Sequence, residues 1–417
     1  MDGSQKISIN KDELYEYTIT RSRTLKLVKN LTPEDMVIQP NEFVSPTKWH
    51  LGHTSWFFEK FILLPNLKGY KIFHENFNFV FNSYYNSVGC FNKRDKRGFL
   101  NRPSFEEVLN YRNYIDENIN LLFKNNVNNS LKFLLALGVN HEQQHQELIL
   151  MDIKNVFYQN PLKPTYINSK IKNNEKYFRN EFILNNSEKF EYGHSHSSES
   201  FCYDNETPSN FSTLEPFNIK PFVTNLEWKE FIEDGGYKSH EFWLSDGWDF
   251  INKNNINKPM YWFDKNYYFT LTGEKKIDDN SPVSHISFYE ANAFARYKNL
   301  RLPNEFEIEF FLKKQTVKGN FLEEENFCET DYNNFNLKNV LYGNLWLWTS
   351  SNYVPYKNYK CFENELMEYN SKFMCNQFVL KGGSFATSKH HIRSSYRNFY
   401  YPHDRWQFSG LRLVEDL

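Results

Sequence analysis

No run of about 18 or more apolar residues occurs in this 417-residue chain, which excludes a membrane-spanning helix. The opening MDGSQKISINKDELYEYT has no apolar core behind a basic start, so no secretory leader is expected and the protein reads as cytoplasmic. Cysteine is scarce: Cys90, Cys202, Cys328, Cys361 and Cys375 are odd in number, far apart and without a Cys-x-x-Cys. That pattern argues against a disulfide framework and against a zinc knuckle, leaving reduced thiols. An excess charge is missing as well. With 49 basic against 51 acidic residues, no global field recruits nucleic acid or a membrane surface, and any partner must be recognised locally. What the chain has in quantity is aromatic area: 40 Phe, 27 Tyr and 9 Trp supply rigid surfaces for burial and for ring-lined pockets.

At roughly 100–200 residues per domain, the length points to two domains. Four stretches in the first part return apolar residues at three and four positions: ELYEYTITRSRTLKLVKNL, PTKWHLGHTSWFFEKFILL, SFEEVLNYRNYIDENINLLF and SLKFLLALGVNHEQQHQELILMDIKNVF. Ser104 and Glu107 make a capping box at the start of the third. Four such helices predict a bundle. Between the second and third runs a long connection, from NLKGYKIF to FLNRP, with no clean period; ordered loops of that length usually carry function. The prolines and polar residues of NPLKPTYINSKIKNNEKYF interrupt the helical pattern and set a boundary between domains at 1–165 and 166–417. Beyond it, short strand-like runs, Gly and Trp turns and helices such as SFYEANAFARYKN predict an irregular α+β domain, with no internal repeat.

His141 and His145, in NHEQQHQEL, are four apart on a predicted helix, so their imidazoles share a face and can grip one metal ion. His53, in WHLGHTSWFFE, lies on another bundle helix from which a third nitrogen can reach the same interior point. His50, three residues earlier, competes with it and otherwise reads as a helix-surface histidine. Three imidazoles suit zinc, copper, nickel and iron alike. A rival reading makes His141, Glu142 and His145 the H-E-x-x-H of a zinc protease with Glu142 as base. No metzincin-type third histidine follows, and the acidic candidate at a suitable distance, Glu175, falls in the linker. Upstream, Tyr84 and Tyr85 precede Arg94, Arg97 and Arg102. Phenols near an oxygen-activating metal can donate a proton or an electron, and guanidiniums offer forked donors for a carboxylate; the alternative is loop-anchoring rings and solvated charges.

Taken together, HLGHTSWFFE, FNSYYNSVG, RGFLNRP and HEQQHQEL in the first domain resemble the sulfoxide synthases of ergothioneine biosynthesis. So do PVSHISFYEANAFARYKNLRLPNEFEIE, GNLWLWTSSNYVPY and KGGSFATSKHHIRSSYRNFYYPHDRWQFSGLRL in the second. The resemblance covers nearly the whole chain. It implies a DinB-like four-helix bundle followed by an irregular domain like the formylglycine-generating enzyme, of C-type-lectin-like fold. It implies iron(II) held by His53, His141 and His145, and Nα-trimethylhistidine, a thiol and O₂ as substrates. Gln144 and Asn398 match positions that contact the trimethylhistidine, and Phe399 would stand against its ammonium group, a sensible use of an aromatic face. Arg94 and Arg97 match the pair that receives the thiol's carboxylate. Where the γ-glutamylcysteine-using branch has an acidic residue, this chain has Tyr400, and the adjacent Tyr84 and Tyr85 resemble the branch that takes free cysteine. Cysteine is therefore the expected donor, with γ-glutamylcysteine, unmethylated histidine or a selenium donor as variants of the same chemistry, and a non-catalytic metal-binding module as the reading from another class. The second domain is expected to act as a pocket wall. Cys361 and Cys375 do not sit in the copper-binding motif of the formylglycine-generating enzyme, GNLWLW reads as core and turn, and His194 and His196 read as loop residues.

Overall fold

The computed structural model describes residues 11–124, 127–168, 180–195, 200–329 and 340–417. The chain falls into two compact units, Met1–Val156 and Phe157–Leu417. Among the described residues, no helix is long and apolar enough to cross a membrane.

The four periodic stretches of the first unit are its four long helices: α1 (Lys11–Val28), α2 (Thr47–Phe58), α4 (Phe105–Leu122) and α5 (Asn129–Gln159). The capping box at α4 forms as read, with Ser104 Oγ accepting from Glu107 N and Glu107 Oε2 accepting from Ser104 N at 2.7 Å. Every residue of α2 is buried. A helix covered on all sides has no solvent face to break its pattern, which is why polar residues such as His50, His53, Thr54 and Ser55 sit inside the bundle. Past Phe58 the helix widens into a π turn, Glu59–Leu63. The buried Glu59 carboxylate accepts from the Tyr70 and Tyr111 hydroxyls, each at 2.6 Å, tying the following loop to α4.

The long connection is more ordered than its lack of period suggests. It contains a short helix α3 (Phe77–Phe81) and two 3-10 turns, Asn86–Val88 and Arg94–Phe99. Two indoles of α2 hold α3 in place: Trp49 Nε1 donates to Val80 O and Trp56 Nε1 to Asn78 Oδ1, both at 3.0 Å. Gly52 is required for this approach, because a Cβ there would lie 2.1 Å from the Phe81 ring.

In the second unit, β1 (Phe182–Leu184), β4 (Phe217–Phe222) and β11 (Arg412–Asp416) form an antiparallel sheet in the order β1-β4-β11. A second sheet has the order β10-β7-β8-β9, from β7 (Trp346–Asn352), β8 (Phe378–Lys381), β9 (Asn398–Tyr400) and β10 (Ser409–Gly410). Its β10–β7 pair is parallel and the others antiparallel. Two hairpin pairs, β2 (Glu188–Tyr192) with β3 (Asn210–Leu214) and β5 (Tyr267–Thr270) with β6 (Gly273–Lys276), complete the strands. Helices α6 (Asn225–Glu233), α7 (Ser245–Lys253), α8 (Phe288–Tyr297) and α9 (Glu305–Lys313) lie between them in sequence. The GNLWLW motif is core and turn, as read: Trp346 and Trp348 are fully buried, and Gly343 takes a φ of 78°. Cys361 and Cys375 are exposed free thiols. His194 is a loop residue bonded to Ser195 O and Ser200 Oγ, while His196 and Glu175 lie outside the described residues.

Candidate metal centre

Helix α5 carries His141 and His145 one turn apart, and α2 brings His53 to the same point. One nitrogen from each of the three lies within 4.8 Å of the others, and all three residues are buried. His53 Nε2 and His141 Nε2 are 3.2 Å apart, close to the roughly 3 Å separation of two nitrogens held about 2.1 Å from one ion at a right angle.

The surroundings decide which nitrogen each ring presents. His53 Nδ1 lies 2.6 Å from Phe81 O, and a carbonyl only accepts, so Nδ1 carries the proton and Nε2 keeps its lone pair. The ring is fixed in plane by Trp49, stacked at 4.5 Å, and by Trp56 at 5.5 Å. Burial, then the neighbouring His141, pushes the His53 imidazole well below its ordinary pKa. Burial likewise brings His141 down to about 3 and His145 well below the usual range. Three neutral imidazoles with lone pairs converging in a dry site fit a divalent transition metal, and three donors leave positions for exogenous ligands.

His50 is corrected by the structure: it is buried, not on the helix surface. It does not point a nitrogen into the cluster. Its Nδ1 faces His145 Nδ1 at 2.7 Å and its Nε2 faces Asp152 Oδ2 at 2.8 Å. Asp152 was not singled out in the sequence. The available signal was its place seven residues after His145, on the same stripe of α5.

Glu142 has no role as a protease base. Its carboxylate is taken up by two arginines, with Arg21 Nη1 and Arg112 Nη2 donating to its two oxygens at 2.9 and 2.8 Å. Burial raises the carboxyl, but Arg112 and then Arg21 outweigh it and hold the group at about 2. A carboxylate so committed accepts no proton near neutral pH.

Arg97 is a buried guanidinium lying 3.4 Å over the Trp49 ring, and its Nη atoms donate to Ser45 Oγ and Ser83 Oγ. Burial, then Arg94, weighs against its charge. No carboxylate touches it among the described residues, so the position favours an incoming anion. Arg94 is exposed and donates to Phe43 O. Tyr85 is fully buried, 5.8 Å from the Trp56 ring that also packs on His53, and half-buried Tyr84 stacks on it at 4.7 Å. Gln144 is half-buried, whereas Gln143 and Gln146 are turned into the bundle against Thr20 and Thr24.

Asn398, Phe399 and Tyr400 form β9 of the second unit, paired with β8. Phe399 stacks on Tyr353 at 4.1 Å. The residue that seats this strand, Arg397, was not foreseen: it is buried, donates twice to Glu305 at 2.8 and 3.1 Å, and lies 4.1 Å over Tyr356.

The chain matches the family model described as sulfatase-modifying factor enzyme 1-like domain over residues 168–338 and 312–417. It matches the DinB superfamily model over residues 16–149. It is 27% identical over 310 residues to hercynine oxygenase of Mycobacterium tuberculosis, covering 68% of this chain and 72% of that protein. The hercynine oxygenase of Mycolicibacterium smegmatis is 28% identical over 317 residues, with the same coverage of 68% and 72%. Ergothioneine biosynthesis protein 1 of Schizosaccharomyces pombe is 26% identical over 242 residues, 52% of this chain and 28% of that protein.

Proposed function

We propose, from the premise that this chain belongs to the sulfatase-modifying factor enzyme 1-like family and carries a DinB-superfamily region before that domain, a role in ergothioneine biosynthesis. The reaction is an iron(II)- and O₂-dependent oxygenation that joins the sulfur of cysteine to imidazole C2 of Nα-trimethylhistidine. One C–H and one S–H bond break, a C–S and an S–O bond form, and the four electrons removed reduce O₂, whose second oxygen leaves as water. The relatives named as hercynine oxygenases and as an ergothioneine biosynthesis protein support the pathway. The observation that carries the reading is the buried cluster of His53, His141 and His145.

His53, His141 and His145 would hold the iron, which supplies a centre for thiolate and imidazole together and the electron transfer that O₂ requires. The rest falls to side chains. Arg97, with Arg94 beside it, would receive the thiol substrate's carboxylate, its fork already oriented by Ser45 and Ser83. Gln144 would contact the trimethylhistidine; in the second unit, Asn398 and Phe399 offer an amide and an aromatic face of the kind that suits a quaternary ammonium. Tyr84 and Tyr85 would deliver the proton that steers oxidation toward C–S bond formation. Tyr400 offers no carboxylate for the amine of a γ-glutamyl group, which favours free cysteine.

Anaerobic iron-loaded protein is mixed with Nα-trimethylhistidine and either cysteine or γ-glutamylcysteine, then given O₂, and products are read by mass spectrometry. The expected product is the cysteine-derived sulfoxide. Cysteine sulfinate alone would make the protein a thiol dioxygenase, and no O₂ uptake with any pair would leave a non-catalytic binding module. Replacing Tyr84 and Tyr85 together by Phe is expected to divert output toward sulfinate; an unchanged product ratio removes them from the chemistry.

Arg97→Met should raise KM for cysteine roughly 10–150-fold, the worth of about 1.5–3 kcal/mol of charge-assisted hydrogen bonding. Cysteamine, which lacks the carboxylate, should turn over alike in both proteins. An equal loss with both thiols would show that Arg97 supports the fold rather than the substrate.

A further inference from the structure

His50 and Asp152 lie behind the histidine cluster and are not among its ligands. Asp152 is 1% exposed, and its Oδ2 accepts from Ser45 N at 2.9 Å as well as facing His50 Nε2 at 2.8 Å. A carboxylate oxygen only accepts, so His50 Nε2 carries a proton. On the other side of that ring, His50 Nδ1 and His145 Nδ1 are 2.7 Å apart, a distance that requires one proton between them. With His50 neutral, the proton belongs to His145 Nδ1, and His145 Nε2 is the nitrogen left with a lone pair to offer the cluster. The row Asp152, His50, His145 thus selects the one tautomer of His145 that can bind metal.

His53 and His145 are backed unequally. His53 leans on the neutral carbonyl of Phe81, whereas His145 is connected through a second ring to a carboxylate. Among the described residues, no lysine or arginine touches that carboxylate; the side chain that meets it is the neutral His50 ring. A buried carboxylate without a cation in contact is costly, and a divalent ion two rings away would offset the cost.

We infer that His50 and Asp152 are positioning residues that act on the metal through His145, fixing its tautomer and passing it negative charge. The inference rests on reading His53, His141 and His145 as the metal site. Outer partners of this kind raise ligand basicity and are worth about 10–100-fold in metal affinity. Because a more basic ligand favours the higher oxidation state, they also lower the reduction potential of bound iron.

The test uses the full chain and Asp152→Asn, whose amide oxygen still accepts from Ser45 and His50 but carries no charge. Cobalt(II) is titrated by its visible absorption against a chelator, and the potential of the iron-loaded protein is measured. Asp152→Asn is expected to weaken cobalt binding about 10–100-fold, to move the potential upward, and to leave the metal-free protein no less heat-stable. In a His50→Phe background, where the row is cut, adding Asp152→Asn should change cobalt affinity no further. Unaltered affinity and potential in Asp152→Asn, additive effects in the double variant, or a metal-free protein that melts earlier with affinity unchanged would overturn the inference. If wild-type protein and His53→Ala bind cobalt alike, the metal site itself has been misassigned and the inference falls with it.

Discussion

His141→Ala is expected to abolish turnover and to weaken metal binding far beyond the ~10–100-fold typical of losing an outer partner, because it removes one of only three donors. The geometry leaves no substitute: His50 spends both nitrogens on His145 and Asp152. His141 also packs against Phe57 at 4.5 Å, so some loss of heat stability accompanies the change. The decisive readout is therefore cobalt or iron stoichiometry in protein that is still folded by circular dichroism. Full stoichiometry with normal activity in His141→Ala would remove the basis for a three-histidine centre.

The neighbouring residue should behave in the opposite way. Glu142→Gln is expected to cost about 3–5 kcal/mol, since it leaves Arg21 and Arg112 buried together with half their compensation lost. For a unit of this size that lowers the melting temperature by on the order of 10 °C. The protein that remains folded should bind metal with near-normal affinity, because both carboxylate oxygens are committed to Arg21 and Arg112 and Glu142 is not one of the clustered residues. Loss of metal without loss of stability would contradict this separation and revive Glu142 as a participant in the chemistry.

The same residue makes the helical unit sensitive to acid. Glu142 titrates at about 2 when folded and near 4.5 when exposed, so the unfolded chain takes up the proton first as pH falls. Its stabilisation is complete above about pH 4.5 and is lost toward pH 2, roughly 3 kcal/mol in all. His141 works in the same direction over a higher range. Its folded pKa of about 3 against 6.5 means that protonation of the unfolded state begins to oppose folding below pH 6.5 and does so fully by pH 3. Metal-free protein should therefore melt at steadily lower temperature from pH 6.5 downward. A flat melting temperature between pH 6.5 and 4 would show that the buried histidines do not titrate as their environment requires.

Much of the helical unit was legible because spacing alone carries it. The run NHEQQHQEL places His141 and His145 on one face whatever surrounds them, and Ser104 with Glu107 marks a helix start through purely local hydrogen bonds. The connection between α2 and α4 was not legible. Its short helix α3 is held by Trp49 and Trp56 from α2, contacts that leave no period in the loop's own sequence. Likewise Arg397 looks like any surface charge until Glu305, 92 positions earlier in the chain, is seen beneath it.

The histidines draw the line between the two sources of information. Sequence by itself determined that α5 offers two imidazoles to one point and that α2 holds two more, three residues apart. It did not choose between His50 and His53, because α2 is buried on every side and its pattern names no face. Tertiary structure separates them: Phe81 O accepts from Nδ1 of His53 and leaves a lone pair facing His141, while His50 lies buried between His145 and Asp152. Which nitrogen is bare depends on the acceptor behind each ring, and those acceptors come from distant parts of the chain.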